Sequence, residues 1–179
     1  FSSPEQVLDC GNSGTTIRLL SGLLAGQGLE ATLDGDSSLR KRPMSRLNRA
    51  LIPFGARVSV APTGGAPIRI ICPPHQGVRS QKVTVDTQLS SAQIKTAALF
   101  CGLFADGPTT VCEQKLSRDH TERMLQGLGV QLTTQPNVCT THLTPPNKLP
   151  PFNLKVPGDF SSAAFWLTAC AIEPRLQVT

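Results

Sequence analysis

A small set of residues in this 179-residue chain has the types and spacing needed to hold anions. Gly14 stands within Asp9-Cys10-Gly11-Asn12-Ser13-Gly14-Thr15-Thr16-Ile17-Arg18, which opens onto the apolar run Ile17, Leu19, Leu20, Leu23 and Leu24. The pattern reads as a tight turn starting a helix. The first N–H groups of a helix lack intrahelical acceptors and lie at the positive end of its dipole. Small residues there let a phosphate or carboxylate approach. Ser91-Ala92-Gln93 repeats the design, with a hydroxyl, helix-start N–H groups and an amide that both donates and accepts. Arg42 and Arg118 each carry a planar fork suited to two-pronged contact with such groups. Plainer readings stand beside these. Gly14 could serve backbone shape alone, Arg42 could belong to a solvated run with Arg40 and Lys41, and Arg118 could pair with Asp119 or Glu122. Asn12, Thr15 and Arg18 shape the turn, with Asp9 or Asp36 as the expected partner of Arg18. His120 reads as a structural residue at a helix start.

Positioning these groups falls to a repeated set of elements. A helix is expected over 14–26, a strand over 30–34 and a polar loop over 35–41. Pro43 tolerates an early helical position, so a second helix is expected from Arg42-Pro43. It would bury Met44, Leu47, Leu51 and Ile52 and end near Gly55. Strands follow at 57–60 and 68–71, joined by a turn at Gly64-Gly65. The order then recurs: a strand over 83–89, a helix capped by Ser90 that runs through Leu103, and a strand over 109–112. Next come a loop to His120, a helix burying Met124, Leu125 and Leu128, and strands at 130–132 and 138–143. A third copy begins at Val156-Pro157-Gly158-Asp159, with Asp159 as hinge and cap. It continues through a helix over 163–172 to a strand-like start at 176–178. Arg42 and Arg118 lie 76 residues apart, and Gly14 and Ser91 lie 77 apart. Two landmarks agreeing so closely point to a duplicated β-α-β-α-β-β unit. The segments 97–104 and 163–172 are apolar almost all round, which predicts burial on every side. The strands alternate, so their sheets keep one wet face. Helices inside and sheets outside follow.

Composition narrows the function classes. Lys plus Arg number 17 and Asp plus Glu 12, a net charge of +5 that suits anionic ligands where it clusters. Aromatic residues make up 4% with no Tyr, which leaves little for base stacking, and no nucleic-acid partner is expected. No apolar run reaches the length of about 18 residues that reads as a membrane span. The six cysteines show no C-x-x-C pair, and most sit in apolar runs as small buried thiols of a reducing compartment. His75, His120 and His142 are widely spaced, so no metal site is expected. Phe1 in place of Met and the strand-like last residues read as a piece of a longer protein.

Five motifs carry a resemblance: D-C-G-N-S-G-T-T-I-R-L-L, D-G-D-S-S-L-R-K-R-P-M, S-S-A-Q-I-K-T-A, S-R-D-H-T-E-R-M-L and P-G-D-F-S-S-A-A-F. In this order they resemble the 5-enolpyruvylshikimate-3-phosphate synthases, within the enolpyruvyl transferases. The resemblance implies an α+β fold of βαβαββ units, an inside-out α/β barrel of which this chain is part. Residues 1–153 would be most of the N-terminal lobe, the second half of one unit plus the next. Residues 154–179 would be the crossover and the start of the second lobe. It implies transfer of the enolpyruvyl group of phosphoenolpyruvate to the 5-hydroxyl of shikimate 3-phosphate, without metal or cofactor. Gly14, Arg42 and Gln93 would meet phosphoenolpyruvate or the inhibitor glyphosate. Ser91, Ala92, Gln93 and Arg118 would meet shikimate 3-phosphate, and Asn12 and Thr15 are secondary candidates. Ala92 stands where relatives carry Ser, so only its backbone could serve. The acid–base residues would lie outside 1–179, leaving the piece inactive alone. The full-length protein is expected to be monomeric and cytoplasmic in a bacterium, although a plastid address upstream of Phe1 is also compatible. Three alternatives stay open. One is the sister UDP-N-acetylglucosamine enolpyruvyl transferase, against which the lack of Cys over 34–43 speaks. Another is a non-catalytic module binding anions or RNA phosphates. The third is a purely structural duplicated domain, for which only the missing catalytic residues speak.

Overall fold

The computed structural model describes residues 2–72, 82–153, 155–156, 158–173 and 175–176. Two four-stranded sheets share one topology. The first unit comprises β1 (Leu8–Asp9), α1 (Gly14–Gly26), β2 (Ala31–Asp34), α2 (Leu47–Leu51), β3 (Arg57–Val60) and β4 (Ile68–Ile71), in strand order β1-β2-β4-β3. The second comprises β5 (Val83–Asp86), α3 (Ala92–Gly102), β6 (Thr109–Cys112), α4 (His120–Gly127), β7 (Gln131–Gln135) and β8 (Thr140–Thr144), in strand order β5-β6-β8-β7. In each, the first pair is parallel and the other two are antiparallel. The duplication read from spacing is therefore a duplication of topology. Residues 8–71 and 83–144 each supply the six elements of such a unit.

Alternation places one strand face inward. Val83 and Val85 are buried while Thr84 and Asp86 face water. Val58, Ile68 and Ile70 do the same in the first sheet. Against these faces lie α1 and α3. The latter buries Ala97, Ala98, Leu99, Cys101 and Gly102, as expected of 97–104, but Phe100 is half-buried and Phe104, beyond the helix end, is 38% exposed. The core joins Ile17, Leu33, Leu47, Leu51, Ile68 and Ile70 of the first unit to Val85, Leu99, Val111 and Leu143 of the second. At about 1.5–3 kcal/mol for each large apolar side chain buried, this shared interior gives the two units reason to pack as one.

Glycines let α1 approach α3 closely. A Cβ on Gly22 would lie 2.6 Å from Ala97 Cα, and one on Gly26 would lie 2.9 Å from Cys101 Cα. These residues are four apart on one face of α1, so backbone meets backbone along the crossing. The contact fixes how the two helix starts sit relative to each other.

Several expectations are corrected. Arg42 and Pro43 precede α2, which begins at Leu47 after a short 3-10 turn at Leu39–Lys41. Met44, Leu47 and Leu51 are buried as expected, but Ile52 is 59% exposed because it opens a 3-10 turn, Ile52–Phe54, that rotates it outward. Leu125 is buried, whereas Met124 and Leu128 are only half-buried. The second-unit strand ends at Asp86 instead of Leu89, where Gln88 takes a left-handed φ of 49°. The helix α5 (Phe160–Ile172) forms and Asp159 caps it, accepting from Ser161 N at 3.0 Å and Ser162 N at 3.2 Å. Yet Phe165 is 80% and Trp166 65% exposed. A helix apolar on all sides needs partners on all sides, and the described residues leave most of α5 uncovered. Cys10, Cys72 and Cys101 are buried, whereas Cys112, Cys139 and Cys170 are half-buried. His75 and part of the 176–178 strand lie outside the described residues.

Candidate functional site

The start of α1 is set by Ser13, whose hydroxyl accepts from Thr16 N at 3.0 Å. Gly11 makes the turn before it with a φ of 53°, left-handed backbone that glycine adopts without strain. Asp36 holds the neighbouring loop. Its carboxylate accepts from Leu39 N at 2.8 Å and from Asn12 Nδ2 at 2.6 Å. The hydrogen bond from the Leu39 backbone, then the one from Asn12, lowers the pKa of Asp36 below the usual carboxylate value. The oxygen of the Asn12 amide is thereby aimed at Arg42, whose Nη2 donates to Asn12 Oδ1 at 2.6 Å.

Arg18 does not pair with Asp9 or Asp36. Its guanidinium donates to Gln93 Oε1 at 2.8 Å, to Pro43 O at 3.1 Å and to Gly14 O at 3.3 Å. Gln93 in turn donates from Nε2 to Thr15 Oγ1 at 2.8 Å. Gln93 lies in the first turn of α3, and Arg18 and Thr15 lie in the first two turns of α1. The close helix crossing is what lets one amide bridge both units. A Cβ on Gly14 would sit 2.8 Å from Arg18 Nη1 and 2.9 Å from Arg42 Nη1. The hydrogen atom of Gly14 is therefore the floor beneath two guanidinium groups.

Positive charge gathers here without an ion pair to Arg18, Arg42 or Arg46 among the described residues, although the Arg42 charge also helps lower the pKa of Asp36. Half-burial lowers the pKa of Arg18 from its ordinary value, and the like charges of Arg42 and then Arg46 add to that effect. Arg46 was not singled out from sequence; its one signal was its place four residues past Arg42. Arg18 and Arg42 meet at the α1 start with amide oxygens as side-chain partners, and Arg46 is near enough to add its charge, an arrangement whose chemistry suits an anion.

Ser91 is the N-cap residue of α3 in place of Ser90, and its hydroxyl makes no cap bond. Ser91 and Ala92 thus stand beside Gln93 at an open helix start. A second clamp steadies this turn: Arg49 of α2 donates to Gln88 Oε1 and, at 3.5 Å, to Thr87 O.

Arg118 makes no direct bond to this cluster. It shares the loop position of Arg42, between the second strand and second helix of its unit, but no hydrogen bond or ion pair among the described residues joins it to Gly14, Arg42 or Gln93. It also does not pair with Asp119 or Glu122. Asp119 binds Arg123 at 2.8 Å, and Glu122 faces Lys95. Arg118 lines a cavity of about 840 Å³ with His120, Met124, Phe152, Asp159 and Phe160. That cavity is mostly apolar, a poor match for a doubly charged metabolite. Arg118 also borders a smaller one, about 420 Å³, with Lys95, Ser117 and Glu122.

No group of three His, Cys, Asp or Glu residues is placed to hold a metal ion among the described residues. Among them, no helix is long and apolar enough to cross a membrane.

Comparison with known proteins completes the description. The profile of the family EPSP synthase (3-phosphoshikimate 1-carboxyvinyltransferase) matches residues 1–179. A 3-phosphoshikimate 1-carboxyvinyltransferase of Synechococcus sp. (strain RCC307) is 46% identical over 184 residues, covering 100% of this chain and 41% of the relative. One from Thermus thermophilus is 47% identical over 180 residues, covering 99% of this chain and 40% of the relative. The solved EPSP synthase from Acinetobacter baumannii superposes with a TM-score of 0.78 at 39% identity, over 95% of this chain and 37% of that one. The chain thus spans about two fifths of the length of these curated relatives.

Proposed function

The chain belongs to the EPSP synthase family, and from that premise we propose that it forms part of an enzyme moving the enolpyruvyl group of phosphoenolpyruvate to the 5-hydroxyl of shikimate 3-phosphate, with release of phosphate. The reaction belongs to aromatic amino-acid biosynthesis. The observation carrying the reading is the Gly14–Arg18–Arg42–Gln93 cluster. It combines a glycine floor beneath two forked cations with an amide shared between two units. Phosphoenolpyruvate, or glyphosate in its place, lies over Gly14 and takes its anionic groups to Arg42, with Gln93 beside it. Asn12 aims Arg42, and Thr15 orients the Gln93 amide. Shikimate 3-phosphate takes its phosphate to Ser91 and the N–H groups of Ala92 and Gln93, with Arg118 closing from the loop.

These groups bind and neutralise. A developing tetrahedral intermediate bearing phosphate and carboxylate gains from fixed donors that need no reorganisation. No described residue is assigned as a general acid or base, and residues 1–179 alone are expected to bind anions without turnover. The full-length protein acts as a monomer in the bacterial cytoplasm. Titrating the full-length protein with shikimate 3-phosphate, alone and with glyphosate, tests the reading. Shikimate 3-phosphate is expected to bind alone and to tighten when glyphosate is present. Preference for RNA with a steep salt dependence would instead favour a phosphate-handling module.

A further inference from the structure

A buried ion cluster beside this site has no role in the reading above. Lys95, on α3 two residues past Gln93, is 1% exposed. Its ammonium lies 3.2 Å from Glu113 Oε2 and 2.5 Å from Glu122 Oε1, and both carboxylates are sealed from solvent. It also donates to Ser117 O at 3.5 Å, while Ser117 N donates to Glu113 Oε2 at 3.4 Å. A parallel link joins Thr96 Oγ1 of α3 and Thr121 Oγ1 of α4 at 2.6 Å. Glu113 follows β6, Ser117 and Arg118 lie on the next loop, and Glu122 is in the first turn of α4. One buried cation therefore ties the helix carrying Ser91 and Gln93 to the loop carrying Arg118. Ser91 and Lys95 stand four residues apart, on one face of α3.

Stability explains this cluster poorly. Burying charges is costly, and apolar side chains of similar volume often replace such groups without loss. Here the pairing is also incomplete: Glu113 Oε1, Ser117 Oγ and Glu122 Oε2 have no hydrogen-bond partner among the described residues. The loop borders the 420 Å³ cavity and is not pressed into the core, so polar ties hold it more than packing does. What such a cluster supplies is a fixed geometry.

We propose that Lys95, with Glu113 and Glu122, is a positioning device that holds the Ser117–Arg118 loop at a set place relative to the α3 start, so that a phosphate dianion at Ser91 meets the Arg118 guanidinium without first ordering the loop. This rests on the reading of Ser91 and Arg118 as shikimate 3-phosphate contacts. Preordering of that kind raises affinity by removing an ordering cost.

The test uses the full-length protein. Lys95→Met alone strands two buried carboxylates and risks misfolding, so the deciding variant is Lys95→Met/Glu113→Leu/Glu122→Leu. It is expected to fold with a melting temperature near the parent's. Amides of 114–119 should exchange about tenfold faster or more, while those of 15–20 stay unchanged. The KM for shikimate 3-phosphate should rise about tenfold, with the KM for phosphoenolpyruvate unmoved. Arg118→Ala should weaken shikimate 3-phosphate in the parent but add little in the triple variant. Unchanged exchange over 114–119, or full additivity with Arg118→Ala, would overturn the proposal. A parent that binds no shikimate 3-phosphate would instead overturn the functional reading, and the exchange measurement would still decide whether the cluster holds the loop.

Discussion

Replacing Gly14 by alanine probes the anion site at its tightest point. The new methyl group would arrive 2.8 Å from Arg18 Nη1, 2.9 Å from Arg42 Nη1 and 3.6 Å from Arg42 Cδ. All three atoms belong to long side chains, so the guanidinium groups move and the backbone stays. Gly14 is the first residue of α1, where alanine is a permitted and slightly favourable helix former. Global stability should therefore change by less than about 1 kcal/mol. Binding should change more. Displacing Arg42 breaks its bond to Asn12 and spoils one prong of a charge-assisted contact, worth about 1.5–3 kcal/mol, or roughly tenfold to a hundredfold in affinity. Glyphosate is bulkier than phosphoenolpyruvate over this floor, so its affinity should fall further. The assay is inhibition by glyphosate alongside the KM for phosphoenolpyruvate in the full-length Gly14→Ala protein, at saturating shikimate 3-phosphate. Unchanged values for both, in a protein that melts normally, would remove Gly14 from the site.

Further outcomes follow from the same geometry. Arg42→Lys keeps the charge but loses the planar fork, and the KM for phosphoenolpyruvate should rise about tenfold or more while thermal stability holds. Gly22→Ala sets a methyl group against the Ala97 backbone, an overpacking that should cost about 1–3 kcal/mol in denaturant unfolding. The Arg40 guanidinium, which binds Asp34 through two prongs, holds the Asp34 carboxyl below its usual value of 3.8. A depressed carboxylate pKa stabilises the fold above the unfolded value and loses that contribution as pH falls through the folded one. Melts should thus show Asp34→Asn differing from the parent above about pH 4 and converging with it in more acid solution. Burial pushes the Cys72 thiol up to about 11 and the Cys101 thiol higher still. A thiol reagent at about pH 8, below the ordinary thiol range, should leave both unmodified until the protein unfolds.

Much of this protein was legible in its residues. Local rules sufficed for α1, whose bounds follow from Ser13, Gly14 and an apolar stripe, and for the strands at 57–60, 68–71 and 109–112. Repeat spacing gave the duplicated unit, because two copies of one chain segment keep similar lengths between corresponding turns. Gly14, Arg42 and Gln93 could be picked out by residue type and spacing, although each also fits a plainer use as a cap, a solvated charge or a helix-start amide.

Partnerships across the chain were another matter. Arg18 was expected to find Asp9 or Asp36, yet it reaches Gln93, 75 residues on. The helix crossing at Gly22 and Ala97 brings the two starts together, and no local pattern encodes a crossing. Arg46, at the start of α2, adds its charge to Arg18 through the folding of the first unit alone. The buried alliance of Lys95 with Glu113 and Glu122 reads in sequence as three ordinary surface charges. Burial is a property of the packed layers, and only tertiary structure decides which charges it encloses. Short-range sterics and hydrogen bonding wrote the elements into the chain; long-range packing chose which side chains would meet.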